Sequence, residues 1–455
     1  MILVLEVVLL AWRLGAVADA FRRGDGKVRG RAAALSAVGL LFVIVPSVYA
    51  AYLTEVAREA ASTVFAQVET PWQPPDTIVA LPSESPDENI GPPSVIFSPP
   101  PQLGRFTVLL IGVDSGPGRT TALTDSMIVA SLDPVAGSVS MISVPRDMVD
   151  VPLPGGGVFR AKINSLMAFA SQHPKLFPGA PSGQSVLAAT LGRLLGVQVD
   201  GWAEVNLPGF VRVVDALGGI DISVHDSFCT AIYREYGMNG FAIVPGRYHF
   251  NGDEALAYAR VRKAAGENDF TRAGRQQEIV VAARDRVVSG GLLTDPAGFI
   301  QAMGQLVTTS VAPEKLAAYV SAASTVTRDK VFRQVIQPPL VHSSPGDPRG
   351  SIQVPNLYGI HRLGVAAFPP AGTLPVGVGT IPPDDGGKTT SKLPPVRCSA
   401  PPAPTPRPTP RPTHTPAPSL APSASPIPSE TPTPSEPPSP PPATETPAPT
   451  PAPTP

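Results

Sequence analysis

Proline decides where this chain can build a core. Fifty-nine of its 455 residues are proline. The ring locks φ and removes a backbone donor, which bars it from helix interiors and central strands. The prolines concentrate in two stretches. The first, residues 71–101 ("PWQPPDTIVALPSESPDENIGPP" and onward), reads as an extended, semi-rigid linker. The second, residues 401–455 ("PTPRPTPRPTHTPAP" and similar repeats), has almost nothing to bury and is expected to stay disordered or PPII-like. At about 3.1 Å per residue it would reach on the order of 170 Å, long enough for a spacer through a cell wall. What remains for a globular core is roughly residues 105–368.

Ahead of the linker, residues 32–53 ("AAALSAVGLLFVIVPSVYAAYL") carry no charge. As a helix they would be roughly 33 Å long, enough to cross a bilayer core. An earlier apolar run, "MILVLEVVLLAW", is broken by Glu6 and gives at most a weaker span within residues 1–20. Arg22, Arg23, Lys27, Arg29 and Arg31 lie between the two runs, which places that loop in the cytoplasm. The expected order is a membrane anchor over 1–53 and a Pro-rich linker over 54–104. A catalytic domain over 105–345, a loop-rich extension over 346–398 and a disordered tail over 399–455 follow. Everything after Leu53 is then extracytoplasmic.

The formal net charge is −1, which argues against a general nucleic-acid binder. The two cysteines, Cys229 and Cys398, make neither a zinc site nor a disulfide framework. One disulfide or two free thiols are both compatible with the sequence. The six histidines are scattered, with no metal-binding spacing.

Within the globular part, "FTVLLIGVD" reads as a buried strand ending in an acidic turn. "DSMIVASLD" and "SVSMISVP" are β-rich runs joined by the turn "DPVAGS". "GQSVLAATLGRLLG" and "LPGFVRVVDALGG" have helical spacing and glycine stops, with "GWAEVN" and "IDISV" as strands beside them. "NGDEALAYA" is a short helix running into "RVR", and "FTRAGRQQEIVVAARDRVV" is a long amphipathic helix. This alternation predicts an α/β fold, a three-layer α/β/α domain around a mixed central sheet.

Three clusters carry chemistry. Asp114 and Asp125, in "GVDSGPGRTTALTDSM", flank β-runs and could converge on one Mg²⁺, which takes one or two carboxylates plus phosphate oxygens. Arg146 and Asp147 follow a β-run directly in "SVPRD". Most pointed is "YARVRKAAGENDFTRAGRQQ", which packs Arg260, Arg262, Lys263, Arg272 and Arg275 into one stretch. Arg260 and Arg262 are two apart, on one side if extended. Arg272 and Arg275 share a face at the start of the long helix, beside Gln276. Guanidinium groups bind phosphate bidentately, and a helix N-terminus adds free N–H groups and a favourable dipole.

In order along the chain, the acidic pair, "PRD", "AKIN", "ALAYARVR" and "DFTRAGRQQ" resemble the LytR-CpsA-Psr family over about residues 106–288. The resemblance implies an extracytoplasmic transferase moving a glycopolymer from a polyprenyl-pyrophosphate carrier to peptidoglycan. It implies Mg²⁺ on Asp114 and Asp125. It puts Arg146, Arg260, Arg262 and Arg272 on the pyrophosphate, with Gln276, Arg275, Lys162 and Asn164 as further substrate contacts. Family members often carry arginine after "GVDS" and two residues before the second aspartate. Gly116 and Leu123 stand there, and Arg119 in the same loop is the candidate substitute. A pyrophosphatase on the same lipid and a non-catalytic lipid binder are the competing readings. A polyprenyl chain also needs apolar cover. An elongated cavity is expected between the helices, lined by Val186, Leu187, Leu191, Phe210, Val214, Ile279 and Val280, with its mouth beside Arg260 and Arg262.

Overall fold

The structure is a computed structural model. It describes residues 29–65, 67–73, 90–91, 103–115, 123–235, 237–290, 300–301, 303–304, 307–382 and 387–398, together with positions 15, 19 and 22. The weaker apolar run at the N-terminus, most of the linker, Gly116, Arg119 and the Pro-rich tail therefore lie outside the described residues. The side chains of 32–44, the first part of the apolar span, lie outside them too.

In chain order the elements used below are helix α1 (Arg29–Val64) and strands β1 (Phe106–Val113), β2 (Thr124–Asp133) and β3 (Ser138–Ser143). Helices α2 (Leu166–Gln172) and α3 (Gly183–Leu195), strand β4 (Gly201–Asn206), helix α4 (Leu207–Ala216) and strand β5 (Ile220–Val224) follow. Then come β6 (Phe228–Thr230), β7 (Phe241–Ile243), β8 (Gly246–Phe250), α5 (Gly252–Arg260), α6 (Asp269–Val288), β9 (Val307–Thr309), α7 (Pro313–Ser324), β10 (Val331–Val335), α8 (Leu357–Ala367) and β11 (Gly379–Thr380).

Seven strands form one mixed sheet in the order β9-β4-β1-β2-β3-β10-β11. β1 pairs antiparallel with β2 and parallel with β4, and β10 pairs parallel with β3. Alternation along the strands sends side chains to two faces. Leu109, Ile111 and Val113, with Met127, Val129, Ile142 and Trp202, meet α2, α3 and α8 on one face. Leu110, Ile128, Ala130 and Met141 point to the other, where α6 and α7 supply Val280, Val281, Tyr319 and Ala322. The domain is thus an α/β fold with a helical layer on each side of a mixed sheet.

Beside the second face sits a satellite core. It is built on β5, β6, β7, β8, α4 and α5, around Ile220, Ile222, Phe228, Phe241, Phe250 and Tyr258. The stretch expected to be loop-rich, 346–398, contains α8, whose Ile360, Ala367 and following Phe368 complete the first core. Gly364 makes this docking possible: a Cβ there would come 2.0 Å from the Leu195 carbonyl of α3.

Helix α1 runs 36 residues with Pro46 inside it. Its last turns bury Val56, Ala60 and Val64 and pack against β9. Among the described residues, no helix is long and apolar enough to cross a membrane.

The cysteines are joined: Cys229 in β6 and Cys398 form a disulfide across a sequence separation of 169. It ties the C-terminal segment to the satellite core, where Thr390 already exchanges backbone hydrogen bonds with Arg247 and His249 of β8. A cross-link closing so long a loop constrains the unfolded chain strongly, with a typical contribution of about 2–4 kcal/mol. Reduction is expected to lower the unfolding free energy of the purified protein by that amount, read as a lower urea midpoint. An unchanged midpoint with and without reductant would contradict it.

Candidate active site

The site begins where β1 and β2 part. The β1–β2 register shifts between Gly112 and Val113, and a Cβ on Gly112 would stand 3.0 Å from that of Ser126, so the strands approach closely there. Asp114 follows β1 at once, its N–H donating to the Leu123 carbonyl at 2.9 Å. Asp125 lies inside β2 as its second residue. Arg146 follows β3; its carbonyl accepts from the Asn164 N–H at 3.2 Å, while the Thr124 hydroxyl donates to the Asn164 carbonyl at 3.1 Å.

The other half comes from α5 and α6. Arg260 is the last residue of α5, and Val261 (φ −59°, ψ 124°) turns the chain out of the helix ahead of Arg262. Asn268 caps α6, its side chain accepting from the Phe270 and Thr271 N–H groups while Thr271 accepts from the Asn268 N–H. This reciprocal cap fixes the start of the helix. Farther along, Gln277 is fully buried and donates to Ser143 and to the Gln334 carbonyl, both at 2.9 Å, which pins α6 to the sheet.

Arg146, Arg260, Arg262, Arg272 and Gln276 line one cavity together with Asp114 and Asp125. Arg146 Nη1 lies 2.5 Å from Asp125 Oδ1, and Arg260 Nη1 lies 3.2 Å from Asp114 Oδ1. Asp269, at the start of α6, sits between Arg272 at 3.0 Å and Arg262 at 3.6 Å. Burial pushes the Arg272 guanidinium below the ordinary arginine value. Asp269 opposes that shift, and Arg146 and Arg262 add like-charge repulsion to it. Burial works against Arg146 and Arg260 as well, but Asp125 holds the first above its ordinary value and Glu235, then Asp114, the second. The Nε atoms of Arg146 and Arg272 are buried without a hydrogen-bond partner. Buried donors are normally satisfied, and an anion in the mouth of this cavity would satisfy them.

Behind the charged mouth the cavity is apolar, about 430 Å³, and lies between the second face of the sheet and α4, α5 and α6. Leu110 and Ile128 form its floor, and Phe210, Val213, Val214, Leu256, Ile279 and Val280 its walls. One stripe of α6 runs the length of it: Arg272, Gln276, Ile279, Val280 and Ala283, at the spacing of a helix face. The cavity expected from sequence is there, with a correction to its lining. Val186, Leu187 and Leu191 belong to α3 on the opposite face and are packed in the first core. Amphipathic spacing shows that a helix covers a sheet, without saying which side.

Three further residues stand elsewhere than expected. Arg275 shares neither face nor task with Arg272. It is 6% exposed and donates to the Tyr258 and Val261 carbonyls and to Glu267, with its guanidinium 4.5 Å over the Phe228 ring. It holds the turn between α5 and α6 and does not line the cavity. Lys162 pairs with Asp147 at 2.9 Å, and Asn164 is buried with its backbone bracing Arg146 and Thr124; neither lines the cavity. Arg119 lies outside the described residues. Arg275→Ala strands Glu267 and two carbonyls in a buried site, so it is expected to destabilise the fold by about 3 kcal/mol or more. Urea titration measures this, and near-native stability would return Arg275 to the list of binding residues.

Sequence reasoning did not find Glu235, whose carboxylate reaches Arg260 Nε at 3.4 Å from the β6–β7 loop. A lone acidic residue in a loop carries no spacing signal. Glu204 and Asn206 of β4 and Ser126 of β2 line the cavity and were missed too, because single polar residues within strands carry no spacing signal either.

The donor set suits a hard divalent cation of the Mg²⁺ type. Two carboxylates face the mouth, and among the described residues no cluster of three or more acidic, His or Cys side chains is present. Such an ion would rest on Asp114 and Asp125 and take its remaining oxygens from phosphate and water.

This chain is similar to several known proteins. A polyisoprenyl-teichoic acid–peptidoglycan teichoic acid transferase, TagU, of Halalkalibacterium halodurans is 32% identical over 207 residues, 45% of this chain and 61% of that protein. Biofilm regulatory protein A of Streptococcus mutans is 28% identical over 188 residues, 40% of this chain and 44% of that protein. The chain thus spans less than two thirds of these relatives' length. Among solved structures, TagV of B. subtilis is 26% identical with a TM-score of 0.45, covering 59% of this chain and 98% of that one. The LytR_cpsA_psr family model matches residues 83–342, and the chain belongs to that family.

Proposed function

We propose that this protein is an extracytoplasmic phosphotransferase that moves a glycopolymer from a polyprenyl-pyrophosphate carrier to peptidoglycan. One observation carries the reading: four arginines and two aspartates ring the mouth of an apolar cavity. A diphosphate joined to a long hydrocarbon has that same division of charge. The teichoic acid transferases among its relatives support the substrate class.

In the reaction, a sugar hydroxyl of peptidoglycan attacks the phosphorus nearer the glycopolymer. The new O–P bond forms as the bridging P–O bond breaks, the hydroxyl loses its proton, and polyprenyl phosphate leaves. Phosphoryl transfer needs alignment and charge neutralisation more than covalent help. Arg146, Arg260, Arg262 and Arg272 bind the diphosphate oxygens and stabilise charge on the leaving phosphate. Gln276 borders the boundary between head and tail. A Mg²⁺ ion held by Asp114 and Asp125 would add further neutralisation of the phosphate charge.

The reading places the domain outside the membrane, with the N-terminal helix as anchor. The uncharged run 32–53 and its basic flank support this, as does the disulfide, which forms in oxidising compartments. The test uses the full chain in vesicles with Mg²⁺, a polyprenyl-pyrophosphate-linked glycopolymer and peptidoglycan. Polymer covalently attached to peptidoglycan, with polyprenyl phosphate released, is the expected result. Free polymer phosphate would assign a pyrophosphatase, and absence of turnover with retained lipid would assign a binding protein.

A further inference from the structure

Arg260 is gripped on two edges by different carboxylates. On one edge, Glu235 Oε2 lies 3.4 Å from Nε and Oε1 lies 3.5 Å from Nη2. On the other, Nη1 reaches Asp114 at 3.2 Å. The Nη2 contact is a long hydrogen bond and the Nε contact an ion pair without one, so the carboxylate flanks the Nε–Nη2 edge of the guanidinium and restrains it electrostatically from that side. Asp114 lies at the mouth; Glu235 is not among the residues lining the cavity.

The loop that carries Glu235 is braced. Met238 N–H donates to the Glu235 carbonyl at 3.0 Å, and Gly240 N–H to the Tyr233 carbonyl at 2.8 Å. Gly240 has φ +83°, and a Cβ there would stand 2.7 Å from Val396 Cγ1, so the C-terminal segment lies directly against the loop. The Cys229–Cys398 disulfide fastens that segment to β6, the strand from which the loop departs.

Resting on the diphosphate reading above, we propose that Glu235 is a positioning residue: it restrains the Arg260 guanidinium from behind, so that Nη1 points to the diphosphate. The alternative physical role is the opposite one, a counter-anion that competes with substrate for Arg260. The two roles give opposite signs. Removing a bare competing negative charge near an anion site tightens anion binding, since like charges repel over this range. Removing a positioning charge loosens it, because Arg260 must then be ordered at the moment of binding.

The probe is inorganic pyrophosphate with Mg²⁺, titrated calorimetrically into the full-length protein. The variants are Glu235→Ala, Glu235→Gln and Arg260→Ala, with Glu235→Ala also combined with Arg260→Ala. Glu235→Ala is expected to weaken binding about tenfold, within the range of coupling for a contacting pair. Glu235→Gln, which keeps one acceptor on the guanidinium, should lose less. In the Arg260→Ala background, Glu235→Ala should change nothing further. Unchanged or tighter binding by Glu235→Ala overturns the proposal, as does an equal loss with and without Arg260. Failure of the unaltered protein to bind pyrophosphate instead overturns the diphosphate reading itself, whatever Glu235 does.

Discussion

Arg272→Ala is expected to lower glycopolymer transfer by about 10²–10³-fold, the cost of removing one preorganised donor from a developing charge, while the melting temperature stays level or rises. Arg272 is 7% exposed, and its Nε has no hydrogen-bond partner. Burial already disfavours its charge, and Arg146 and Arg262 press on it further. Only Asp269 opposes them at close range, at 3.0 Å. Truncation removes that repulsion and leaves Asp269, 38% exposed, beside Arg262 at 3.6 Å. Stability therefore loses little that it does not regain. The diphosphate loses a group whose charge is repelled by its own neighbours until an anion arrives. The same logic predicts that pyrophosphate raises the melting temperature of the unaltered protein more than that of the variant, since a ligand stabilises in proportion to its binding. Thermal melts with and without pyrophosphate, beside the transfer assay, check both halves. A variant that turns over normally, or one that unfolds, would remove Arg272 from the clamp.

The contrast between Arg272 and Arg275 shows where sequence reasoning stops. Both arginines stand three apart at the start of one helix, and the spacing assigns them one face. Yet Arg272 opens on the cavity, and Arg275 turns back onto Tyr258, Val261 and Glu267. Spacing fixes the direction in which a side chain leaves the backbone. For a side chain as long as arginine's, the partners within reach decide the rest, and here they include carbonyls exposed by the turn at Val261. The strands were legible because β1, β2 and β3 alternate over a two-sided sheet, and α3, α4 and α6 were legible because their caps and glycine stops are local. The face on which each helix packs is a long-range outcome. α3 has as apolar a stripe as α6, but it closes the first core, and the cavity forms only where α4, α5 and α6 stand off Leu110 and Ile128. The satellite core has the same origin. Its short strands β6 and β7 are three residues each, too short for a periodic signal, and their placement draws on a disulfide partner 169 residues away.

Ala283→Phe should separate the tail of the carrier from its head. Ala283 lies seven residues beyond Gln276 on the stripe of α6 that lines the cavity, so about 10 Å farther from the charged mouth at 1.5 Å per residue. A phenyl ring there enters the cavity that Phe210, Val213 and Val280 also line, and it adds no polar group. In the proposed reading, head-group binding depends on Arg146, Arg260, Arg262 and Arg272, at the other end. Affinity for inorganic pyrophosphate should accordingly change by less than about twofold, since sites more than about 10 Å apart without shared partners act nearly independently. The polyprenyl carrier should respond very differently. Each 100 Å² of hydrocarbon kept from water contributes about 2.5 kcal/mol, so expelling that much of the chain weakens carrier binding by about 50-fold or more. Mass spectrometry of lipid retained by the purified protein, set beside the pyrophosphate titration, reads both effects. Arg272→Ala should give the reverse pattern in the titration, losing the head-group affinity that Ala283→Phe keeps. If Ala283→Phe retains as much polyprenyl lipid as the unaltered protein, the chain does not enter between α4, α5 and α6. The 430 Å³ cavity would then be no carrier site, and the hydrocarbon would have to stay in the bilayer while only the diphosphate reaches the arginines.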